Sequence, residues 1–273
     1  MKEDNLKKEL ELTNELKNVI GKNPDSQTFS RAYDRYHEFI LKNGLPSEKR
    51  RKNGYLYASP DYKNLVEKII IKLTPFGKTV LEIGIGDGRL SYKLAEEKKC
   101  RVTGIDISDI VINLAKKRLK ETDTLKYIKA DARQLPFKDK TFDISISKDL
   151  IEHLPPKDHL WHLQEVKRIL KDKGSYIIFT PPKLKLEIYK GLHLREYSLK
   201  DFLSALKIAG FSNMEIYWVQ LTIFGRLIRV SKPMIKTLNL YESFLGKTKI
   251  YKLMPEFLNK IFIPRFVIIA KNE

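Results

Sequence analysis

The chain has 273 residues, 42% of them hydrophobic, enough for one full core with smaller extensions. Its single cysteine, Cys100, excludes an internal disulfide or a cysteine-based metal cage; neither a ~20-residue apolar span nor the apolar block of a secretory signal occurs, so a protein of the reducing cytoplasm is expected. The net charge of +18 is uneven: residues 181–273 hold sixteen Lys and Arg against seven Asp and Glu, which predicts a basic surface late in the chain.

Residues 1–58 read as two helical pieces parted by the breaker "GKNPDS", an extension to a main domain over 59–273. From residue 61, helix "DYKNLVEKIIIKL" leads to strand "TVLEIG", a helix from Gly88 to Lys98, strand "CRVTGIDI" and helix "SDIVINLAKKRLKE" with Ser108 as N-cap. Strands "LKYIKAD" and "FDISIS" follow, then helix "KDHLWHLQEVKRILK" ended by Gly174, and strand "SYIIFT" closed by Pro181 and Pro182. Short apolar strands separated by helices predict a parallel sheet covered on both faces, a doubly wound α/β domain. The rhythm then changes: helix "SLKDFLSALKIAG" and strand "FSNMEIYWVQL" precede a basic, amphipathic insertion over 221–264 and the last strand "RFVIIAKN".

The stretch "VLEIGIGDGRL" places Gly84, Gly86 and Gly88 directly after the first strand, where an open parallel sheet binds its ligands. Glycine lets backbone approach a ligand closely, and the amides of the helix that follows point to the same place. A nicotinamide dinucleotide has a similar fingerprint, but Arg89 stands where its third glycine would be, and Asp87 is unfavourable beside a pyrophosphate. Asp106 in "GIDIS", ending the second strand, can accept both hydroxyls of a ribose in either class of ligand. Asp131 in "KADARQLPF", ending the third, can accept from an exocyclic adenine amine. Read singly, the glycines are an ordinary turn, Asp106 an N-cap and Asp131 a turn former. Their joint spacing points to a nucleoside.

In order and spacing, "VLEIGIGDGRL", "GIDIS", "DARQLPF", "FDISISKDLIEHL" and "EVKRILKDKGSYIIFTPP" resemble the class I S-adenosylmethionine-dependent methyltransferases of the small-molecule group, over residues 61–220 and the last strand. The resemblance implies a Rossmann-like, seven-stranded sheet with the last strand antiparallel, and S-adenosylmethionine as methyl donor. It also implies site roles: Glu82, Gly84 and Gly86 around the methionine part, Asp106 on the ribose with Ile107 beside the adenine, Asp131 and Ala132 at the adenine edge, and Ser147 near the sulfonium.

Methyl transfer from a sulfonium demands mainly alignment, and sometimes removal of the acceptor's proton. Asp149, Glu152 and His153, at i, i+3 and i+4, would share one helical face able to hold a divalent metal or present a general base. Ubiquinone-pathway O-methyltransferases are similar at this point. His153 serves equally as a packing or capping residue. His193 in "KGLHLREYS" serves equally as a base for a hydroxyl, with Arg195 and Glu196 beside it, or as the anchor of the helix beginning at Ser198. His37, His159 and His162 read as surface or helix-packing residues. Tyr33 and Tyr36, in "FSRAYDRYHEF", sit on the second N-terminal helix, which the resemblance places across the cleft as a lid, with Phe29 and Phe39 as docking residues.

Between residues 222 and 265, nine Lys and Arg face only Glu242 and Glu256, interleaved with Phe, Leu and Ile. Such a stretch can lie on an anionic membrane, line an apolar acceptor pocket or form a dimer face. The expected function is O-methylation of a lipophilic small molecule (a quinone, isoprenoid or lipid-linked glycan) by a cytoplasmic protein with peripheral contact at the inner membrane face. The alternatives are a tRNA or RNA methyltransferase using the basic surface, and an NAD-dependent oxidoreductase. Aliphatic residues rather than exposed aromatics between the lysines favour the lipophilic acceptor over nucleic acid.

Overall fold

The structure, a computed structural model, describes residues 2–22, 24–43, 60–181, 193–219, 227–230, 240 and 266–273. Helices α1 (Lys2–Gly21) and α2 (Ser26–Asn43) form the N-terminal extension. The alternating part runs α3 (Pro60–Leu73), β1 (Thr79–Ile83), α4 (Arg89–Lys98), β2 (Arg101–Asp106), α5 (Asp109–Arg118), β3 (Leu125–Lys129), β4 (Phe142–Lys148), α6 (His159–Ile169) and β5 (Leu170–Phe179). It continues with α7 (Leu199–Ile208), β6 (Asn213–Val219), β7 (Leu227–Val230) and β8 (Phe266–Lys271).

The sheet order is β3-β2-β1-β4-β5-β8-β6-β7. The first five strands are mutually parallel, and β8 is antiparallel to both β5 and β6. The seven expected strands are thus present with the last one reversed. A short additional strand, β7, extends the edge by pairing with β6, and it comes from the stretch read as an insertion. The remainder of 221–264, apart from residue 240, lies outside the described residues, and with it the expected membrane or acceptor contact. Among the described residues, no helix is long and apolar enough to cross a membrane.

Two apolar layers sandwich the sheet, because successive strand side chains point to opposite faces. On one face Leu81, Ile83, Ile105, Tyr176, Ile178 and Ile268 pack with residues of α6, α7 and the N-terminal helices, including Leu16, Ile20 and Phe29. On the other, Val80, Val102, Ile144, Ile146, Ile177 and Ile269 pack against Ile70, Leu94, Val111 and Ala115 of α3, α4 and α5. Strand order reverses between β1 and β4, which opens a crevice at their carboxyl ends.

Helix α6 stops at Ile169, earlier than the expected Gly174. Its last carbonyls are captured from outside: Lys140 N–H donates to Arg168 O (3.0 Å), Thr141 N–H to Ile169 O (2.8 Å) and the Asn272 side-chain amide to Lys167 O (3.4 Å). Gly174 instead permits a tight turn early in β5 and a close approach to β4, since a Cβ there would lie 2.8 Å from Lys171 O and 3.1 Å from Asp143 O.

The extension is tied down by polar contacts as well as by apolar burial. Ser108 caps α5 as expected, accepting from Val111 N–H at 3.3 Å. Asp34 of α2 adds a second acceptor at the same helix end, taking Ser108 Oγ–H (2.5 Å) and Ile110 N–H (3.2 Å). Replacing an acceptor at such a terminus costs about 1 kcal/mol. Asp34→Ala should lower the unfolding free energy by that amount, so that the urea midpoint falls by this loss divided by an unchanged m-value; an unaltered midpoint would show that α2 docks without this contact.

Candidate functional site

The loop after β1 is clamped to β2, with the amides of Gly84 (2.8 Å) and Ile85 (3.2 Å) both donating to Ile105 O. Gly84 and Gly86 both adopt positive φ, 77° and 55°. A Cβ on Gly84 would meet Leu150 Cδ1 at 3.0 Å, whereas a Cβ on Gly86 would meet nothing within 4 Å. Gly84 therefore permits approach of the β4 tip, and Gly86 offers bare backbone to the crevice.

Glu82 is buried under this loop and accepts from the Ser91 hydroxyl. Burial pushes its carboxyl up to about 8, with Ser91 and Lys148 offsetting part of the rise. Asp87 lies beside Arg89, whose Nε pairs with its carboxylate at 2.8 Å. The expected repulsion of a pyrophosphate by Asp87 is therefore weakened by an internal counter-charge. At the tip of β2, Asp106 accepts from Ser108 N–H at 3.0 Å. Burial raises its carboxyl to about 6 against the lowering effect of the Ser108, Gly86 and Ile107 amides. Asp106 is not the helix cap, since Ser108 fills that position, and Ile107 packs partly buried against the core.

Asp131 is less open than its spacing suggests. The Arg133 guanidinium grips it through Nε (3.0 Å) and Nη2 (2.7 Å), and Ser26 Oγ–H donates to the same carboxylate at 2.6 Å. Burial pushes this carboxyl up, but Arg133 and Ser26 outweigh it and hold it below the usual carboxylate range. An adenine amine would have to share or displace these contacts. Arg133 also donates to Pro24 O (3.1 Å) and lies over the Phe29 ring (4.5 Å), so the start of α2 is bound to this edge.

Ser147 is turned into the core layer beneath α6 rather than into the crevice. A hydrogen-bonded chain runs from Ser147 Oγ to Tyr176 Oη (2.6 Å), to His162 Nε2 (3.1 Å), and from His162 Nδ1 to Ala132 O (2.8 Å). A carbonyl only accepts, so His162 Nδ1 carries the proton, Nε2 accepts from Tyr176, and Tyr176 accepts from Ser147. Burial drives the His162 imidazole down to about 4, which keeps it neutral. The reading of His162 as helix-packing holds, but it also links two expected cofactor residues, Ala132 and Ser147. His159 is likewise buried, between Leu154 O (2.9 Å) and the Tyr197 hydroxyl (2.7 Å).

Beyond β4 the expected helical face does not form. Asp149 takes a positive φ of 55° and lies by Lys148 at 3.4 Å, while Ile151–His153 make a single 3₁₀ turn. Asp149 is thereby separated from the compact donor set, which consists of Glu152, His153 and His193, with ligand atoms all within 4.8 Å of one another. The grouping thus differs from the expected Asp149, Glu152 and His153: His193 takes the place of Asp149, with Leu194 N–H donating to Glu152 O at 2.7 Å.

Glu152 is fully buried; its Oε2 accepts from Thr180 Oγ–H (3.0 Å), and its Oε1 has no hydrogen-bond partner among the described residues. Burial, reinforced by Asp149, pushes its carboxyl up to about 8. His193 Nδ1 contacts Glu196 Oε1 at 2.8 Å; burial lowers the imidazole, but Glu196, Glu152 and Asp149 outweigh it and raise it above its ordinary value. From above, Tyr33 Oη–H donates to His153 O (3.2 Å), and Tyr36 packs beside it against the core. Phe29 and Phe39 are buried, as docking residues should be. His37 is buried through its Nδ1, and burial lowers it to about 4. Sequence reasoning missed Thr180, Arg133 and Ser26; of these, only Thr180 carried a signal, as the polar end of the strand "SYIIFT".

A family model described as a methyltransferase domain matches residues 80–174. Phosphoethanolamine N-methyltransferase 2 of Caenorhabditis elegans is 31% identical over 59% of this chain, which spans 39% of that relative. The demethylmenaquinone methyltransferase of Staphylococcus aureus is 27% identical over 52% of this chain and 58% of its own length. The chain therefore spans roughly half the length of these two curated relatives. An uncharacterized Methanocaldococcus jannaschii protein is 32% identical over 66% of this chain and 75% of its own length. The structure of Haemonchus contortus phosphoethanolamine N-methyltransferase 2 in complex with S-adenosyl-L-methionine superposes with a TM-score of 0.51 at 20% identity, covering 77% of this chain and 51% of that one, and shares the fold.

Glu82 makes stability depend on pH. Its folded value of about 8 exceeds its ordinary 4.5, so between these values the folded chain holds a proton that the unfolded chain has released, and stability falls as pH rises. Glu82→Gln should remove this share of the fall. The gap between urea midpoints at pH 5 and pH 8 should therefore be smaller than in the parent protein, and an equal gap would place the titration elsewhere.

Proposed function

We propose that this chain, which belongs to the class I S-adenosylmethionine-dependent methyltransferase family, transfers the donor's methyl group to a hydroxyl of a small lipophilic acceptor of the quinone, isoprenoid or lipid-linked glycan kind. The observation that carries this reading is the bare backbone of Gly86 beside the partly buried Asp106 carboxylate, a place for a flat nucleoside with a diol. When bound, S-adenosylmethionine supplies a methyl group already activated by its sulfonium. Asp106 accepts the ribose hydroxyls, Ile107 and Ala132 border the base, and Glu82 with Gly84 and Gly86 receives the methionine end. The hydrogen-bond chain through His162 holds Ala132 and Ser147 in place.

The acceptor hydroxyl is received at Glu152, His153 and His193. Glu152 contributes the unpartnered Oε1, and His193, oriented through Nδ1 by Glu196, takes the proton. Tyr33 and Tyr36 on α2 roof the crevice and exclude water as a lid. The basic insertion brings the protein to an anionic membrane surface where such acceptors reside. The demethylmenaquinone relative supports a lipophilic acceptor. A second reading is favoured by the same donor set: one carboxylate and two imidazoles suit a divalent metal, held by Glu152, His153 and His193.

Calorimetry with S-adenosylmethionine and with NAD separates the ligand classes. Asp106→Ala should weaken S-adenosylmethionine binding more than tenfold, the loss expected of charged hydrogen bonds worth about 1.5–3 kcal/mol. Unchanged affinity removes Asp106 from the site, and tighter binding of NAD removes the methyl donor. His193→Ala should lower turnover and leave donor affinity intact; full turnover of the variant excludes His193 as base. Co-sedimentation with anionic liposomes against tRNA across a salt series decides between membrane and RNA, and Mn²⁺ titration of the parent against Glu152→Gln tests the metal.

A further inference from the structure

At the crevice end of β4 a lysine is held largely out of solvent, with 17% of its side-chain surface accessible. Lys148 is the last residue of β4, one place past the final register pair with β1, Ile83 and Ser147, so it stands level with Gly84. Ser147 turns under α6, and alternation along the strand sends Lys148 to the opposite face, toward Glu82 and toward Glu67 of α3.

A largely buried ammonium is unfavourable unless anions answer it, and around Lys148 they do so incompletely. Its hydrogen bond to Asp149 Oδ2 is long, 3.4 Å, and the Asp149 side chain is itself 32% accessible. Glu67 is buried but is already paired with Lys93 (3.2 Å) and Arg89 (3.6 Å). Glu82 is protonated at neutral pH, because burial pushes its carboxyl up to about 8. Burial lowers the ammonium as well, but the acids around it, Asp149 foremost, outweigh this and keep Lys148 charged. An ammonium has three donors, and among the described residues Asp149 takes one of them at long range. Arg89, the other cation at the loop after β1, is more open to water and is bound to Asp87 at 2.8 Å.

We propose that Lys148 binds the carboxylate of the donor's amino-acid end, anchoring it between the tips of β1 and β4 beside the Gly84 and Gly86 backbone. This rests on the reading that S-adenosylmethionine occupies the crevice. Lys148 is then a determinant of donor specificity, since a nucleoside without that carboxylate forfeits a charge-assisted hydrogen bond in a place with little water.

Calorimetry on the full chain with S-adenosylmethionine and with decarboxylated S-adenosylmethionine, which lacks only that carboxylate, tests this. The parent should bind S-adenosylmethionine at least tenfold more tightly than the decarboxylated probe, the difference expected of a hydrogen bond between charged groups. Lys148→Met should bring the two affinities together by weakening S-adenosylmethionine alone, and its unchanged affinity for the decarboxylated probe shows that the variant is folded. Arg89→Met should keep the parent's preference. Equal affinities in the parent, a preference that survives in Lys148→Met, or one lost in Arg89→Met overturns the assignment. If Lys148→Met does not fold, a crystal structure of the parent with S-adenosylhomocysteine decides: a carboxylate within hydrogen-bond distance of Lys148 Nζ supports it, and a carboxylate held elsewhere overturns it. A parent that binds neither probe strikes the methyltransferase reading and this assignment with it. A parent that binds both equally well overturns the role of Lys148 and leaves that reading intact, so the two failures are distinguishable.

Discussion

Burial of carboxyl groups at the carboxyl ends of neighbouring strands is the constraint on which the rest of this structure depends. Glu82 lies next to the end of β1, Asp106 ends β2 and Glu152 follows β4, and burial pushes them up to about 8, 6 and 8. A desolvated carboxyl is unfavourable unless hydrogen bonds reach it, and a donor reaches each: the Ser91 hydroxyl from α4, the Ser108 amide at the start of α5 and the Thr180 hydroxyl after β5. The apolar layers on both faces of the sheet offset what remains. The acids are thus held with hydrogen-bonding capacity in reserve, most plainly at Glu152 Oε1.

Helix α2 is fastened to three successive strand-tip loops. Ser26 meets Asp131 after β3, Asp34 meets Ser108 after β2, and Tyr33 meets His153 O after β4. A helix carrying contacts at all three points lies over the crevice as a unit, and Phe29, buried in the core beneath it, fixes its depth. The arrangement engages Asp131 fully while Gly86 is left facing open space. Entry of a nucleoside therefore competes with the Ser26 and Arg133 contacts at one edge of the crevice only.

Below the crevice, α6 contributes two buried histidines, each paired with a tyrosine and a backbone carbonyl. Neutral imidazoles in such chains fix both the tautomer and the direction of every hydrogen bond. The His162 chain connects the turn after β3 with the end of β4. The His159 pair connects the turn after β4 with Tyr197, directly before the Ser198 cap of α7. The site therefore rests on rigid supports, while its roof is an appended helix.

The reversed last strand is what the family resemblance implied; by itself the sequence determined the strand and helix alternation, the Ser108 cap and the placement of Gly86 and Asp106 at adjoining strand tips. Each of these follows from spacing within one element or from neighbouring turns, where the backbone leaves few choices. The tertiary structure alone decided which side chains meet. Ser26 reaches Asp131 across 105 residues, and His193 joins Glu152 from far along the chain. Ser147 points inward because the face it occupies is the one covered by α6. The helical spacing of Asp149, Glu152 and His153 failed because Asp149 takes a left-handed turn at the strand end, leaving only one 3₁₀ turn behind it. Local periodicity constrains the backbone over a few residues, whereas partners far apart in sequence are set by packing, which no short stretch contains.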